Sequence, residues 1–278
     1  MTINCKGTLV DLTKPKVMGI LNVTPDSFFD GGRYADENKI LERVAGMLED
    51  GATFIDLGAY SSRPGADFVS EAQELERIVP IVELLVRNFP EILLSIDTFR
   101  SNVAKETISA GAAIINDIAA GGLDSEMMKV VGALKVPYIM MHMKGNPNTM
   151  QQLASYSDLT QEVLEYFSHK ISEARSYGID DLVLDPGFGF AKTLAHNYEL
   201  MSKVELLHMA GLPLLVGVSR KSMVYKLLNV TPAQALNGTT VLHTIALQKG
   251  AQILRVHDVK QAMECIAIID HLNANKNE

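Results

Sequence analysis

Eight short apolar runs, spread along the whole chain and separated by stretches of helical periodicity, leave few folds open to this sequence. They are VMGILNV (17–23), TFIDLGA (53–59), ILLSIDT (92–98), AAIINDI (112–118), VPYIMMH (136–142), DLVLDPG (181–187), PLLVGVS (213–219) and QILRVHD (252–258). None alternates strictly between apolar and polar residues. Strands rich in Val, Ile and Leu without alternation are covered on both faces, as in a parallel sheet under helices. Between the runs, Asp36 is placed to cap a helix with Ile40, Leu41, Val44, Met47 and Leu48 on one face, ending at Gly51. Ser70 with Gln73 makes a capping-box pattern before Leu75, Ile78, Val79, Val82 and Val86, and Asp158–Gln161 and Asp258–Gln261 repeat it further on. No charge run, low-complexity tract or Pro/Gly-rich linker interrupts the eight units. The expectation is one α/β domain over residues 1–278, a (β/α)8 TIM barrel, with a doubly wound open sheet as the runner-up. The opening segment, MTINCKGTLVDLTKPK, reads as a short β-hairpin closing the bottom of the barrel.

Composition narrows the function classes. A formal net charge of −8 with no basic cluster argues against a nucleic-acid footprint, while leaving room for a local basic pocket. Cys5 and Cys265 stand far apart, so neither a disulfide framework nor a zinc site follows. The chain has no apolar core of signal-peptide length and no run of membrane-spanning length, so a cytoplasmic enzyme with no membrane partner is expected.

The functional signal lies where the polar residues fall. Nearly every apolar run ends at its C-terminal side in a group able to bind or catalyse. In order these are Asn22, Ser61-Ser62-Arg63, Asp97, Asn116, His142, Asp185, Ser219 with Lys221, and Arg255 with His257. In a barrel those ends share one face, the face that carries the active site. Any one of them alone reads as a turn former or a helix cap; the coincidence of nearly all eight does not. GFGFAKT is not a phosphate-binding P-loop, because Ala191 stands where the glycine before the lysine must be. His142 reads as a supporting residue, and His169, His196, His208, His243 and His271 read as packing or surface histidines.

The segments GILNVTPDSFFDGG (19–32), SSRPGA (61–66), SIDT (95–98), IINDI (114–118), MMHMKGNPNTM (140–150), LDPGFGF (184–190), VGVSRKS (216–222) and RVHDV (255–259) together resemble the dihydropteroate synthases, in order and over nearly the whole chain. The resemblance implies condensation of dihydropterin hydroxymethyl diphosphate with p-aminobenzoate, with release of diphosphate. It implies a pterin pocket of Asp97, Asn116, Asp185 and Lys221. Those residue types are chemically suited to a pterin, since carboxylates accept from its N–H edge, an amide meets its mixed edge, and an ammonium meets its carbonyl and ring nitrogen. Arg255 and His257 are implied at the diphosphate, and Asn22 at a Mg2+ ion carried on it. Ser62, Arg63, Phe190 and Lys221 are implied around p-aminobenzoate, with Phe28 on the long first loop. Asp97, Lys221, Arg255 and His257 are the expected catalytic set, with Asp97 stabilising a pterin cation. A homodimer and binding of sulfonamides that mimic p-aminobenzoate are implied too.

The chain departs from the family pattern at four places: Ser62 for Thr, Ala59-Tyr60 for Gly-Glu, Phe99-Arg100 for Ser-Lys, and Ala191 for Gly. None removes a catalytic group. A pterin-dependent methyltransferase barrel would share Asp97, Asn116 and Asp185 but has no use for Asn22, Lys221 and the Arg255-Val256-His257 clamp. A silent binding barrel would be expected to lose several of these groups.

Overall fold

The computed structural model describes residues 1–23, 33–60 and 69–275. An antiparallel hairpin, β1 (Thr2–Cys5) and β2 (Thr8–Asp11), precedes eight parallel strands. These are β3 (Lys16–Asn22), β4 (Phe54–Gly58), β5 (Leu94–Asp97), β6 (Ile114–Asp117), β7 (Tyr138–Met141), β8 (Leu182–Asp185), β9 (Leu215–Val216) and β10 (Ile253–Val256). They pair in chain order, with β10 lying between β3 and β9. A parallel bridge between Leu184 and Leu214, with the Leu184 amide donating to the Pro213 carbonyl at 2.9 Å, joins β8 to β9 and closes the ring. The barrel is therefore closed, and the open doubly wound alternative is excluded.

Helices α1 (Arg33–Glu49), α2 (Glu71–Asn88), α3 (Ser101–Ser109), α4 (Met127–Leu134), α5 (Leu159–Ser176), α6 (Leu194–Lys203), α7 (Ser222–Leu228), α8 (Leu236–Gln248) and α9 (Val259–Ala274) surround it. Their apolar faces are those the periodicity marks: Ile40, Val44 and Met47 on α1, and Ile78 and Val82 on α2, pack into the layer outside the strands. The Ser70–Gln73 capping box forms in full.

Three local expectations change. Helix α1 begins at Arg33, so Asp36 lies within its first turn instead of at its cap. Asp158 accepts from the Gln161 amide at 2.9 Å, but the Gln161 side chain turns to Glu165, leaving that box half made. Asp258 makes no side-chain cap on α9 because Arg220 holds both its oxygens at 2.8 Å.

Inside the ring, the period of two along each strand sorts side chains into layers. Met18, Phe54, Ile114, Ile139, Val183, Leu215 and Ile253 form one buried apolar cluster with Ile3, Cys5, Val10 and Leu12 of the hairpin segment. The hairpin thus plugs the N-terminal end. It is held there by the Asn4 amide donating to Asp181 at 2.9 Å and by Lys6 Nζ donating to the Gly111 carbonyl at 2.9 Å. Two residues further along the same strands stand Asp56, Asn116, Met141, Asp185, Gly217 and Arg255, which make the floor of the opposite end.

Candidate active site

A cavity at the C-terminal end of the barrel is lined by Asp97, Asn116, Ile118, Met141, Asp185, Phe190, Gly217, Lys221 and Arg255. Five of the strand-end residues singled out from sequence meet there, together with Phe190. The barrel geometry explains the convergence, since parallel strands deliver all their C-terminal ends to one mouth.

Arg255 organises the floor. Its Nε donates to Asp56 Oδ2 at 2.6 Å and its Nη2 to Asp97 Oδ2 at 2.7 Å. Among the described residues nothing accepts from its Nη1. Asp56 is fully buried and also accepts from Asn116 Nδ2, at 3.3 and 3.1 Å to its two oxygens. One carboxylate thereby fixes both the guanidinium and the amide, and leaves the amide oxygen of Asn116 as the group it offers to a ligand. Sequence reasoning assigned Asp56 no role. The signal was a lone carboxylate in the apolar run TFIDLGA, where a charge must be paired to be tolerated.

Burial shifts the charges of this floor. It pushes Asp97 up to about 7, against the pull of Arg255 and with the push of Asp56. It also raises Asp185 above the usual carboxylate range, with Lys221 opposing. Burial brings Lys221 down to about 8, with Asp185 holding it up and Arg255 adding to the fall. For Arg255 burial favours the neutral form, but Asp56 and Asp97 outweigh it and the guanidinium stays charged.

Lys221 reaches across to the loop after β8. Its Nζ donates to the Phe188 carbonyl at 2.5 Å and lies 4.8 Å from the centre of the Phe190 ring. Gly217 stands between Lys221 and Arg255: a Cβ there would be in ordinary contact, 3.8 Å from Lys221 Nζ and from the Arg255 Cβ. Asp185 Oδ1 accepts from the Gly187 amide at 2.8 Å, which fixes the carboxylate at the loop's start.

Asn22 and His257 end their strands at the same face but outside the cavity lining. Asn22 stands beside Gly58, where an added Cβ would be 3.8 Å from Asn22 Oδ1 and 3.4 Å from Asp97. The His257 ring meets Ser219 Oγ through Nδ1 at 3.1 Å, and its backbone amide donates to the same oxygen at 3.1 Å. Ser62, Arg63 and Phe28 lie outside the described residues.

Two of the family departures prove to be spatial neighbours. Tyr60 and Phe99 pack edge to face at 5.2 Å, and the Arg100 guanidinium lies 5.5 Å from the Tyr60 ring and 5.2 Å from that of Phe99. Arg100 pairs with buried Glu74 and donates to the Val69 carbonyl at 2.6 Å. Ala191 adopts a φ of +47°, a conformation glycine takes freely and alanine takes at a cost of about 1 kcal/mol.

The pterin binding enzyme family matches residues 18–257. The chain belongs to this family. It is 43% identical to the dihydropteroate synthase of Escherichia coli over 100% of its own length and 99% of that protein. Among solved structures, the dihydropteroate synthase of Yersinia pestis with a sulfonamide drug superposes with a TM-score of 0.92 at 45% identity, covering 99% of this chain and 100% of that one. The dihydropteroate synthase of Xanthomonas albilineans with 4-aminobenzoic acid superposes with a TM-score of 0.91 at 36% identity, covering 98% of each chain. The pterin-binding family thus supplies both the barrel and the reaction class, a transferase of the folate pathway.

Proposed function

We propose that this barrel joins 6-hydroxymethyl-7,8-dihydropterin diphosphate to p-aminobenzoate, giving 7,8-dihydropteroate and diphosphate. The observation that carries the reading is one cavity holding Asp97, Asn116, Asp185, Lys221 and Arg255 together. Asp185 accepts from the amino-pyrimidinone N–H groups, Asn116 offers its amide oxygen, and Lys221 meets the carbonyl and ring nitrogen. The unused Nη1 of Arg255 and the ring of His257 receive the diphosphate.

The bond between the exocyclic methylene carbon and the diphosphate oxygen breaks first, and its electron pair leaves with diphosphate. The aniline nitrogen then donates its lone pair to the methylene carbon and loses a proton. An arylamine is already neutral at pH 7, so no strong base is required. Groups fixed in advance around the developing charges supply the rate: Arg255 at the leaving group, Asp97 at the pterin cation. Phe190 and the stem of Lys221 flank the aryl ring, and the family resemblance assigns Ser62 and Arg63 to the same substrate.

Among the described residues no cluster of His, Cys, Asp or Glu forms a cage for a metal ion. The donor set fits Mg2+ carried on the diphosphate, because that ion keeps several waters and accepts a single protein oxygen, here Asn22. Bound there, Mg2+ would neutralise charge on the leaving diphosphate.

The partner in the assembly is a second copy of the chain: Leu227 and Leu228 on α7, Val241 on α8, and Ile268 and Leu272 on α9 expose apolar surface on neighbouring helices. The compartment is the cytoplasm, in keeping with two free, buried cysteines. No helix among the described residues is long and apolar enough to cross a membrane. The deciding assay supplies both substrates and Mg2+ and follows both products. Equimolar dihydropteroate and diphosphate, lost when p-aminobenzoate or Mg2+ is withheld, support the reading; pterin binding without turnover counts against it. Light scattering reads the dimer, and Ile268→Glu is expected to give monomers.

A further inference from the structure

Lys192 is a cation placed where a cation is expensive. It is 4% exposed, and among the described residues no carboxylate forms a salt bridge to it. Its Nζ lies 2.9 Å from His142 Nδ1, 3.0 Å from the Gly187 carbonyl, 3.1 Å from the Phe190 carbonyl and 3.5 Å from the His142 carbonyl. While Lys192 is an ammonium it has only hydrogens to give, so in that state His142 Nδ1 accepts and the ring carries its proton on Nε2. Burial, followed by the nearby Lys192 charge, holds His142 down to about 2, so the imidazole stays neutral and remains an acceptor. Burial brings Lys192 itself down to about 7, with Asp185 opposing.

The four contacts have a common geometry. The Gly187 and Phe190 carbonyls stand at the two ends of one tight turn, and Phe190 N also donates back to the Gly187 carbonyl at 3.1 Å. That turn runs through positive φ at Gly187 (+71°), Gly189 (+85°) and Ala191 (+47°). Gly187 passes so close to β7 that an added Cβ would meet the His142 carbonyl at 2.1 Å. The outer side is pinned separately. Asn197 Oδ1 accepts from the Gly189 amide at 2.7 Å, and the Tyr156 hydroxyl donates to the Ala191 carbonyl at 2.8 Å. A strained turn with its carbonyls gathered on one buried ammonium is held far more rigidly than its backbone alone would hold it.

The turn carries two things to the cavity. It presents the Phe190 ring, and it presents the Phe188 carbonyl that Lys221 Nζ grips. We propose that Lys192 is a positioning residue for the second substrate: its ammonium, with His142, locks the turn at 187–190 and so fixes where the Phe190 ring and the Lys221-gripping Phe188 carbonyl stand. Of the pterin-facing side chains, Asp185 is tied to the turn's first amide and Lys221 to its Phe188 carbonyl, while Asp97, Asn116 and Arg255 sit on strands, do not depend on the turn and keep most of the pterin contact. The proposal rests on the assignment of Phe190 and Lys221 to p-aminobenzoate.

Steady-state kinetics with both substrates, combined with calorimetric binding of the pterin diphosphate alone, test it. Lys192→Met is expected to raise KM for p-aminobenzoate by about tenfold, since small misplacements of a positioning group are costly. The pterin diphosphate Kd is expected to stay within about threefold on the same reasoning. His142→Leu removes one acceptor and leaves the carbonyls. It is expected to shift the same KM in the same direction by less, and it serves if Lys192→Met does not fold. Val82→Ala, in the packing of α2, controls for lost stability and is expected to change neither constant. Equal losses for both substrates, or an unchanged KM for p-aminobenzoate in whichever of the two variants folds, would overturn the proposal while leaving an active wild-type enzyme. A wild-type enzyme that makes no dihydropteroate overturns both this and the reading it rests on.

Discussion

The two ends of the barrel are built from the same strands, two residues apart, and they are made of opposite materials. Phe54, Ile114, Val183 and Ile253 face the hairpin plug, while Asn116, Asp185 and Arg255 face the cavity and Asp56 lies buried against Arg255 and Asn116. The lower layer is held by dispersion and by exclusion of water, which tolerate any apolar shape of the right volume. The upper layer concentrates carboxylates and cations in a buried space, where each charge is tolerated only through a specific partner. The contrast teaches that one end of this fold is selected for stability and the other is a standing cost accepted for chemistry.

The largest effect is expected from removing the charge that holds the upper layer together. Arg255→Met leaves Asp56 and Asp97 buried without their guanidinium, and chemical denaturation is expected to show a loss of about 3–5 kcal/mol along with all turnover. Retained stability would mean that water already satisfies those carboxylates. Phe54→Ala, in the lower layer, is expected to cost about 3 kcal/mol in the same measurement while leaving KM for both substrates unchanged. A change in either KM would show that the layers are mechanically coupled.

Asp97→Asn keeps the shape and removes the charge. It is expected to lower kcat by about 100-fold, the scale for losing one fixed electrostatic partner of a transition state. Diphosphate binding is expected to weaken far less, and equal losses would refute a role at the pterin cation. The smallest effect concerns pH. The folded value of Asp97, about 7, lies above its unfolded value of about 3.9, so folding favours the protonated form. This contribution to stability is complete below the unfolded value and is lost as pH rises to about 7. The difference in Tm between Asp97→Asn and wild type is therefore expected to grow in favour of the variant between pH 4 and 7. A constant difference would mean that Arg255 keeps Asp97 ionised throughout.

The fold was legible because strands covered on both faces leave unbroken apolar runs, and each of the eight runs covers its strand, the first falling short only of Lys16. The run 213–219 overreaches furthest: only Leu215 and Val216 pair as β9, since the chain departs at Gly217 to bring Lys221 into the mouth. Site residues at strand ends were legible for the same geometric reason. Asp56 was not, because nothing in TFIDLGA distinguishes a paired buried carboxylate from an ordinary strand residue until Arg255 arrives on β10, on the other side of β3. Asp258 misleads because its partner, Arg220, sits 38 residues away in a backbone conformation with φ of +52° that no local pattern announces. Lys192 carries no signal of its own, because GFGFAKT invites comparison only with a phosphate loop and the lysine's acceptors are mostly carbonyls, which a sequence does not display.

The hairpin plug has a consequence for how the molecule comes into being. Ile3, Cys5, Val10 and Leu12 emerge from the ribosome long before Ile253, with which they share one buried cluster. Contacts of such long sequence separation form late, because the chain between them must be ordered before they gain anything. A segment made early is therefore among the last to find its place. Until β10 is made, the apolar base of the barrel stays open as a surface that chaperones can recognise and other chains can stick to.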